Sequence, residues 1–196
     1  MYITIEGNIG AGKSTLLTEL ADYLNYTRVE EGIETDETFQ RLLKEDYQGV
    51  ENANEALNLY LAQYRSNIIA SFAQGNYLME RSVLSSYLFA QIDGSSEQTV
   101  TAIKQTLDQG RQPDFYIYIH TPAATCLERV KQRGRDGEEL ITLEYLQQVE
   151  SIHESWANQT CPSSILRLDG TKTLDAQAIA QHITQRLSPL ETVNAR

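Results

Sequence analysis

Eight residues, Gly7-Asn8-Ile9-Gly10-Ala11-Gly12-Lys13-Ser14, followed by Thr15, constrain this chain more than any other stretch. They come straight after a short run of alternating apolar residues, Tyr2 to Glu6, and open into the helical-looking Leu16 to Leu24. Strand, glycine loop and helix in that order are the context that gives a G-x-x-x-x-G-K-[ST] pattern its meaning. Glycines let the backbone fold into a ring of N–H groups, and the helix N-terminus adds the positive end of its dipole. Lys13 is then expected to reach the β- and γ-phosphates of a nucleoside triphosphate, and the Ser14 hydroxyl to ligate Mg²⁺.

At 196 residues the chain suits one α/β domain spanning 1–196 and is too short for two comfortable ones. Its formal net charge of −11 argues against a nucleic-acid polymer as partner, so the basic residues that matter should gather in the site. Cys126 and Cys161 lie far apart without metal-ligand spacing, which fits a reduced, cytoplasmic chain better than a disulfide. The opening Met1-Tyr2-Ile3-Thr4-Ile5 is already strand-like, and no signal peptide or membrane span is expected.

Along the chain, strands are expected at Tyr26 to Glu30, Tyr77 to Met79, Phe115 to His120 and Ser164 to Leu168, besides the first. Helices are expected over Thr38 to Glu45, Ala53 to Ala73, Val83 to Gln91, Glu97 to Leu107, Ala123 to Arg133, Leu143 to Asn158 and Asp175 to Leu187. Strands alternating with helices predict a three-layer α/β fold, with a mostly parallel five-stranded sheet covered on both faces. No G-x-G-x-x-G fingerprint with a distal acid is present, which argues against a dinucleotide-binding domain.

Three further clusters carry candidate chemistry. Glu30 and Glu31 end the second strand, where a carboxylate could take a proton from an acceptor hydroxyl, although a solvated turn also accounts for them. Glu80-Arg81-Ser82 follows the third strand at the ligand-binding edge of an open sheet, where a surface ion pair is the plain alternative. Arg129, Arg133 and Arg135, with Glu138 and Glu139, form a basic helix end and a polar loop. Gly134 and Gly137 there favour a lid that closes over a triphosphate.

Together these segments resemble the deoxyribonucleoside kinase family, whose members include deoxycytidine, deoxyguanosine, deoxyadenosine and insect multisubstrate kinases. The resemblance is carried by Glu6 to Thr15, by Glu80-Arg81-Ser82, by Arg129 to Glu139 with Leu143-Glu144-Tyr145-Leu146, and by His153-Glu154-Ser155-Trp156. It implies a phosphate-loop kinase fold with an arginine-rich lid, and ATP as donor to the 5′-hydroxyl of a 2′-deoxyribonucleoside with Mg²⁺. Glu31 matches the family's catalytic base, although Gly32 follows it where relatives carry proline and Asp36 stands where they carry tryptophan. Arg81 matches the arginine that orients base and 5′-oxygen, and Glu80 the acid that helps hold Mg²⁺. Arg129, Arg133 and Arg135 match phosphate-contacting arginines.

For the acceptor, the resemblance implies that Tyr47 and Glu138 contact the 3′-hydroxyl and that Asn58 reads the base in place of a glutamine. Arg65 falls where deoxycytidine- and purine-preferring relatives carry an arginine. Ser85-Ser86 occupies the place of its aspartate partner, so Arg65 is expected to read the base differently or to point to solvent. Asp169, after the last strand, is placed to contact the donor base, although a plain turn accounts for it equally well. Relatives are commonly homodimers packed through helices, which the long Ala53 to Ala73 segment would suit. Two other readings compete: a thymidylate-type monophosphate kinase, and a nucleotide-dependent switch. The switch would need D-x-x-G and N-K-x-D segments, and neither is present.

Overall fold

The computed structural model describes residues 1–32, 35–135 and 138–194, with the backbone alone at Tyr47 and over 188–194. Its centre is a five-stranded sheet of β1 (Tyr2–Gly7), β2 (Thr27–Val29), β3 (Tyr77–Glu80), β4 (Phe115–His120) and β5 (Ile165–Asp169), in the order β2-β3-β1-β4-β5. Every pairing is parallel, as the alternation of strand and helix patterns implies. The chain leaves β1 for β2 and β3 on one side, then crosses back for β4 and β5. The loops after β1 and β3 therefore flank the place where the winding direction changes.

The helices are α1 (Lys13–Leu24), α2 (Glu37–Tyr47), α3 (Ala53–Ala70), α4 (Val83–Ile92), α5 (Glu97–Gln109), α6 (Ala123–Arg133), α7 (Leu143–Gln159) and α8 (Ala176–Asn194). Ile3 and Ile5 face Leu16, Leu17 and Leu20 of α1 and Ile179 and Ile183 of α8 in one core cluster. Tyr2 and Met79 face Ala62 and Ile69 of α3, Val83 and Ala90 of α4 and Ile103 of α5 in another. Alternation along β1 therefore does not mark a solvent face, because both faces of this central strand are covered. Its polar positions, Thr4 and Glu6, are fully buried: Thr4 donates to Glu6, and Glu6 reaches the loop after β3.

Several element ends differ from the sequence expectation for identifiable reasons. α2 starts at Glu37 because Asp36 caps it, its carboxylate accepting from the Phe39 N–H at 2.8 Å. α3 stops at Ala70 although the apolar pattern runs on, because Phe72 leaves the helix to stack on Tyr77, with ring centroids 4.1 Å apart. β5 starts at Ile165, since Pro162–Ser164 forms a 3-10 turn, and Asp175 caps α8 through the Ala178 N–H at 3.0 Å. Cys126 and Cys161 are both free. No helix among the described residues is long and apolar enough to cross a membrane.

Candidate active site

The glycine loop owes its shape to close approaches that no side chain would allow. A Cβ on Gly7 would lie 2.7 Å from the Ile119 carbonyl, and one on Gly10 would lie 2.7 Å from the Cys126 carbonyl. Gly10 and Gly12 also take φ values of 77° and 100°, the second ending the loop as the first residue before α1. Asn8 is buried and ties the loop to α7 by donating from Nδ2 to the Leu146 carbonyl at 2.8 Å. Arg129 of α6 holds it from the other side, donating from Nη1 to the Gly10 and Ala11 carbonyls at 3.4 and 3.3 Å. Its Nη2 donates to the Gly170 carbonyl at 2.8 Å.

Lys13 is buried. Its Nζ donates to the Asn8 carbonyl at 2.8 Å and lies 3.7 Å from a Glu80 carboxylate oxygen. Burial first, and then the positive charge of Arg81, push its pKa down to about 8. Glu6 organises the loop after β3. One of its carboxylate oxygens accepts from the Ser82 N–H and hydroxyl at 2.9 and 2.6 Å, and the other from the Ser85 hydroxyl at 2.5 Å. That anchor accompanies a left-handed Arg81, φ 60°, an unfavourable backbone for a residue with a side chain. The Arg81 guanidinium consequently lies 5.0 Å above the Phe89 ring, donates to the Ser85 hydroxyl at 3.1 Å, and comes within 3.7 Å of Glu31.

The two glutamates after β2 separate cleanly. Glu30 pairs with Arg28 at 3.1 Å on the exposed rim, whereas Glu31 turns inward to pair with Arg65 of α3. Burial works to raise the Glu31 pKa, but Arg65, Arg81 and Lys13 together outweigh it and hold the carboxyl below its usual range. Arg65 does not point to solvent: it is 3% exposed, and Glu31 supplies the acid partner that Ser86 cannot. Glu80 and Arg81 are buried as well, so they are not a surface ion pair.

One cavity of about 1520 Å³ runs from the phosphate loop to the far end of α3 and α4, a volume that suits two ligands end to end. Ile9, Gly10, Gly12, Lys13, Ser14 and Thr15 line one end, with Arg129, Arg133, Arg135 and Glu138 above them. Glu31, Arg65 and Arg81 line the middle, with Glu80 beside Lys13 towards the phosphate end. Asn58, Asn54, Asp46, Asp93, Phe89 and Tyr145 line the other end. Asn58 Nδ2 donates to Asp93 and to the Ser95 hydroxyl, each at 3.3 Å, and burial raises the pKa values of Asp93 and Asp46. In the lid region Arg133 pairs with Glu138 through both oxygens, Nε donating at 3.1 Å.

Gly7, Asn8 and Ala11 support the loop from beneath and do not line the cavity. Asp169 lies outside it too. Its carboxylate accepts from the Thr171 N–H at 3.0 Å and lies 3.1 Å from Lys172, completing a turn. The Tyr47 side chain, and Gly137 of the expected lid, lie outside the described residues. His153 and Trp156 pack against Tyr118 of β4, and His153 also meets Phe89 of the cavity wall with ring centroids 6.0 Å apart, so that stretch serves the core behind the cavity and does not line it. Sequence reasoning gave no role of its own to Glu6 and did not single out Asp93. The signal for Glu6 was a carboxylate at the inward position of a central strand.

The family model for deoxynucleoside kinases matches residues 3–188. The chain belongs to the deoxynucleoside kinase family. Among curated relatives it is similar to a deoxyadenosine kinase of Lactobacillus acidophilus, 28% identical, covering 87% of this chain and 86% of that protein. A thymidylate kinase of Ruthia magnifica is 30% identical over 90% of this chain and 93% of its own. A deoxyguanosine kinase of Bacillus subtilis is 26% identical over 94% and 96%. The fold matches the deoxyadenosine kinase of M. mycoides solved with bound dCTP, at a TM-score of 0.75 and 23% identity over 96% of this chain and 100% of that one. As a deoxynucleoside kinase family enzyme, the chain has its phosphate loop and its inward carboxylate in a single cavity.

Proposed function

We propose that this enzyme transfers the γ-phosphoryl of ATP to the 5′-hydroxyl of a 2′-deoxyribonucleoside, in a single domain spanning the chain. The observation that carries this reading is Glu31, the carboxylate held inside the cavity between Arg65 and Arg81, with Lys13 and the loop amides at one end. A low-pKa carboxylate is ionised at neutral pH and can accept the acceptor hydroxyl's proton as the new P–O bond forms. Lys13 and the loop amides hold the donor phosphates. Arg81, Arg133 and Arg135 stabilise charge on the transferring group, and Arg129 braces the loop against α6.

Ser14 and Glu80 bring a hydroxyl and a carboxylate oxygen to the phosphate end of the cavity. That donor set fits Mg²⁺, which takes hard oxygens and keeps several waters. Bound there, Mg²⁺ would neutralise charge on the β- and γ-phosphates. At the acceptor end the reading places the base beside Phe89 and Asn58. Among the described residues both Asn58 hydrogen bonds use Nδ2, and Oδ1 is then placed to accept from a base amino group, which supports a purine deoxynucleoside or deoxycytidine. Glu138 and Tyr47 are proposed for the 3′-hydroxyl on the family resemblance alone, and Asp169 for the donor side on its place at the end of β5. The two free cysteines support a cytoplasmic setting.

The second reading, a monophosphate kinase, is favoured by the thymidylate kinases among the relatives. The acceptor end supports it less, since Asp46 and Asp93 there would repel a phosphate and Arg65 is already paired with Glu31. Steady-state kinetics of two single variants test the leading reading. Glu31→Gln should lower kcat by about 10²- to 10⁴-fold, and Glu30→Gln should change it less than about threefold. Full activity in both variants would refute it.

A further inference from the structure

We propose that Arg65 is a positioning residue for the general base, holding Glu31 in place, rather than a reader of the nucleobase; this rests on the kinase reading above. Among the described residues, Arg65 is the group that makes a hydrogen bond to the Glu31 carboxylate. β2 is a three-residue edge strand, so Glu31 lies beyond a short element, and Gly32 follows it at φ 63°. A reacting group must be held to a fraction of an ångström to be effective, and rigid elements do this better than loops.

Arg65 provides that rigidity. It is rooted in the middle of α3, packed among α2, α4 and α5, with its side chain only 4% exposed. Nη2 donates to Glu31 and Nη1 to the Ser86 hydroxyl at 2.5 Å, while Nε is buried without a partner. Nη1 and Nη2 thus each give one N–H to a protein group, which fixes the plane of the guanidinium, and Nε is sealed from the cavity. Ser86 accepts one bond without adding a negative charge, so the guanidinium charge is left to the carboxylate of Glu31. Arg81 faces the same carboxylate at a looser 3.7 Å, with Nη1 already given to Ser85, and Lys13 is the third cation whose field reaches it.

The test measures kcat and KM for ATP-dependent phosphorylation of deoxyadenosine, deoxyguanosine, deoxycytidine and thymidine. The variants are Arg65→Gln, Arg65→Lys, Ser86→Ala, Glu31→Gln and the Glu31→Gln/Arg65→Gln pair. A positioning role predicts that Arg65→Gln lowers kcat by about ten- to a hundredfold on every accepted nucleoside, leaving KM and substrate ranking as they were. Arg65→Lys should recover much of that loss, and the double variant should be no slower than Glu31→Gln alone. Ser86→Ala, which keeps the arginine, should lower kcat a few-fold without reordering substrates, and it serves if Arg65→Gln does not fold. A changed ranking with kcat preserved, or losses that multiply in the double variant, would overturn the proposal. Full activity in Glu31→Gln would instead remove the base assignment, a distinct failure.

Discussion

Gly10 and Gly94 have almost the same backbone, φ 77° and 73°, and very different surroundings. A Cβ at Gly10 would meet the Cys126 carbonyl at 2.7 Å, whereas nothing lies within 4 Å of one at Gly94. Alanine at Gly94 should therefore cost about 1–2 kcal/mol of strain and leave ATP binding intact. Alanine at Gly10 must also push the phosphate loop off α6. Its Kd for ATP-Mg²⁺, measured by calorimetry, should rise at least about tenfold. Equal nucleotide affinity in the two variants would show that the loop's seat on α6 does not matter. At this scale the phosphate loop was fully legible in the sequence, because spacing alone dictates it. The choice of Glu31 over Glu30 came from the family resemblance and not from the two residues themselves, since their separation depends on which carboxylate reaches Arg65, thirty-odd positions away on another helix.

Arg129 shows how an element, and not a single contact, can hold a site. From α6 it bonds two carbonyls of the loop after β1 and one of the loop after β5, drawing three elements together. Arg129→Ala should raise the KM for ATP several-fold and lower stability by about 1.5–3 kcal/mol, read by urea denaturation. Asp169→Asn, in the turn next to Gly170, tests the proposed donor-side role: a KM for ATP raised several-fold would support it, and a change under about twofold would leave the carboxylate to the turn alone. Helix and strand limits were legible where capping or chain direction is local, as in β4 and α6, which match expectation residue for residue. They were hidden where a side chain answers a distant partner. Phe72 continues the apolar period of α3 yet belongs to the ring stack with Tyr2 and Tyr77.

Across the whole molecule, burial of a histidine ties stability to pH. His153 is fully buried on α7, its Nδ1–H donating to the Val149 carbonyl at 2.8 Å, and it stacks on Tyr118. Burial, then the charges of Arg81 and Lys13, push its pKa from 6.5 down to about 3. Below about pH 6.5 the unfolded chain takes up a proton that the native state refuses, so stability falls as pH drops. The slope from this one group is about 1.4 kcal/mol per pH unit. Between pH 6.5 and 5, His153→Leu should show a flatter slope by about that amount in denaturation curves, and parallel curves would contradict it.

A homodimer is proposed on the exposed stripe Ala56, Leu59, Gln63 and Asn67 of α3, which carries no charge in a chain of net charge −11. Leu59→Glu should convert a dimer to a monomer in sedimentation velocity if that face is the interface. The measurement closest to the central claim is transfer from ATP-Mg²⁺ to the four 2′-deoxynucleosides, run beside the corresponding monophosphates. Turnover on one or more nucleosides and none on monophosphates is the predicted result. Turnover on monophosphates alone would contradict Glu31 as base for a sugar hydroxyl.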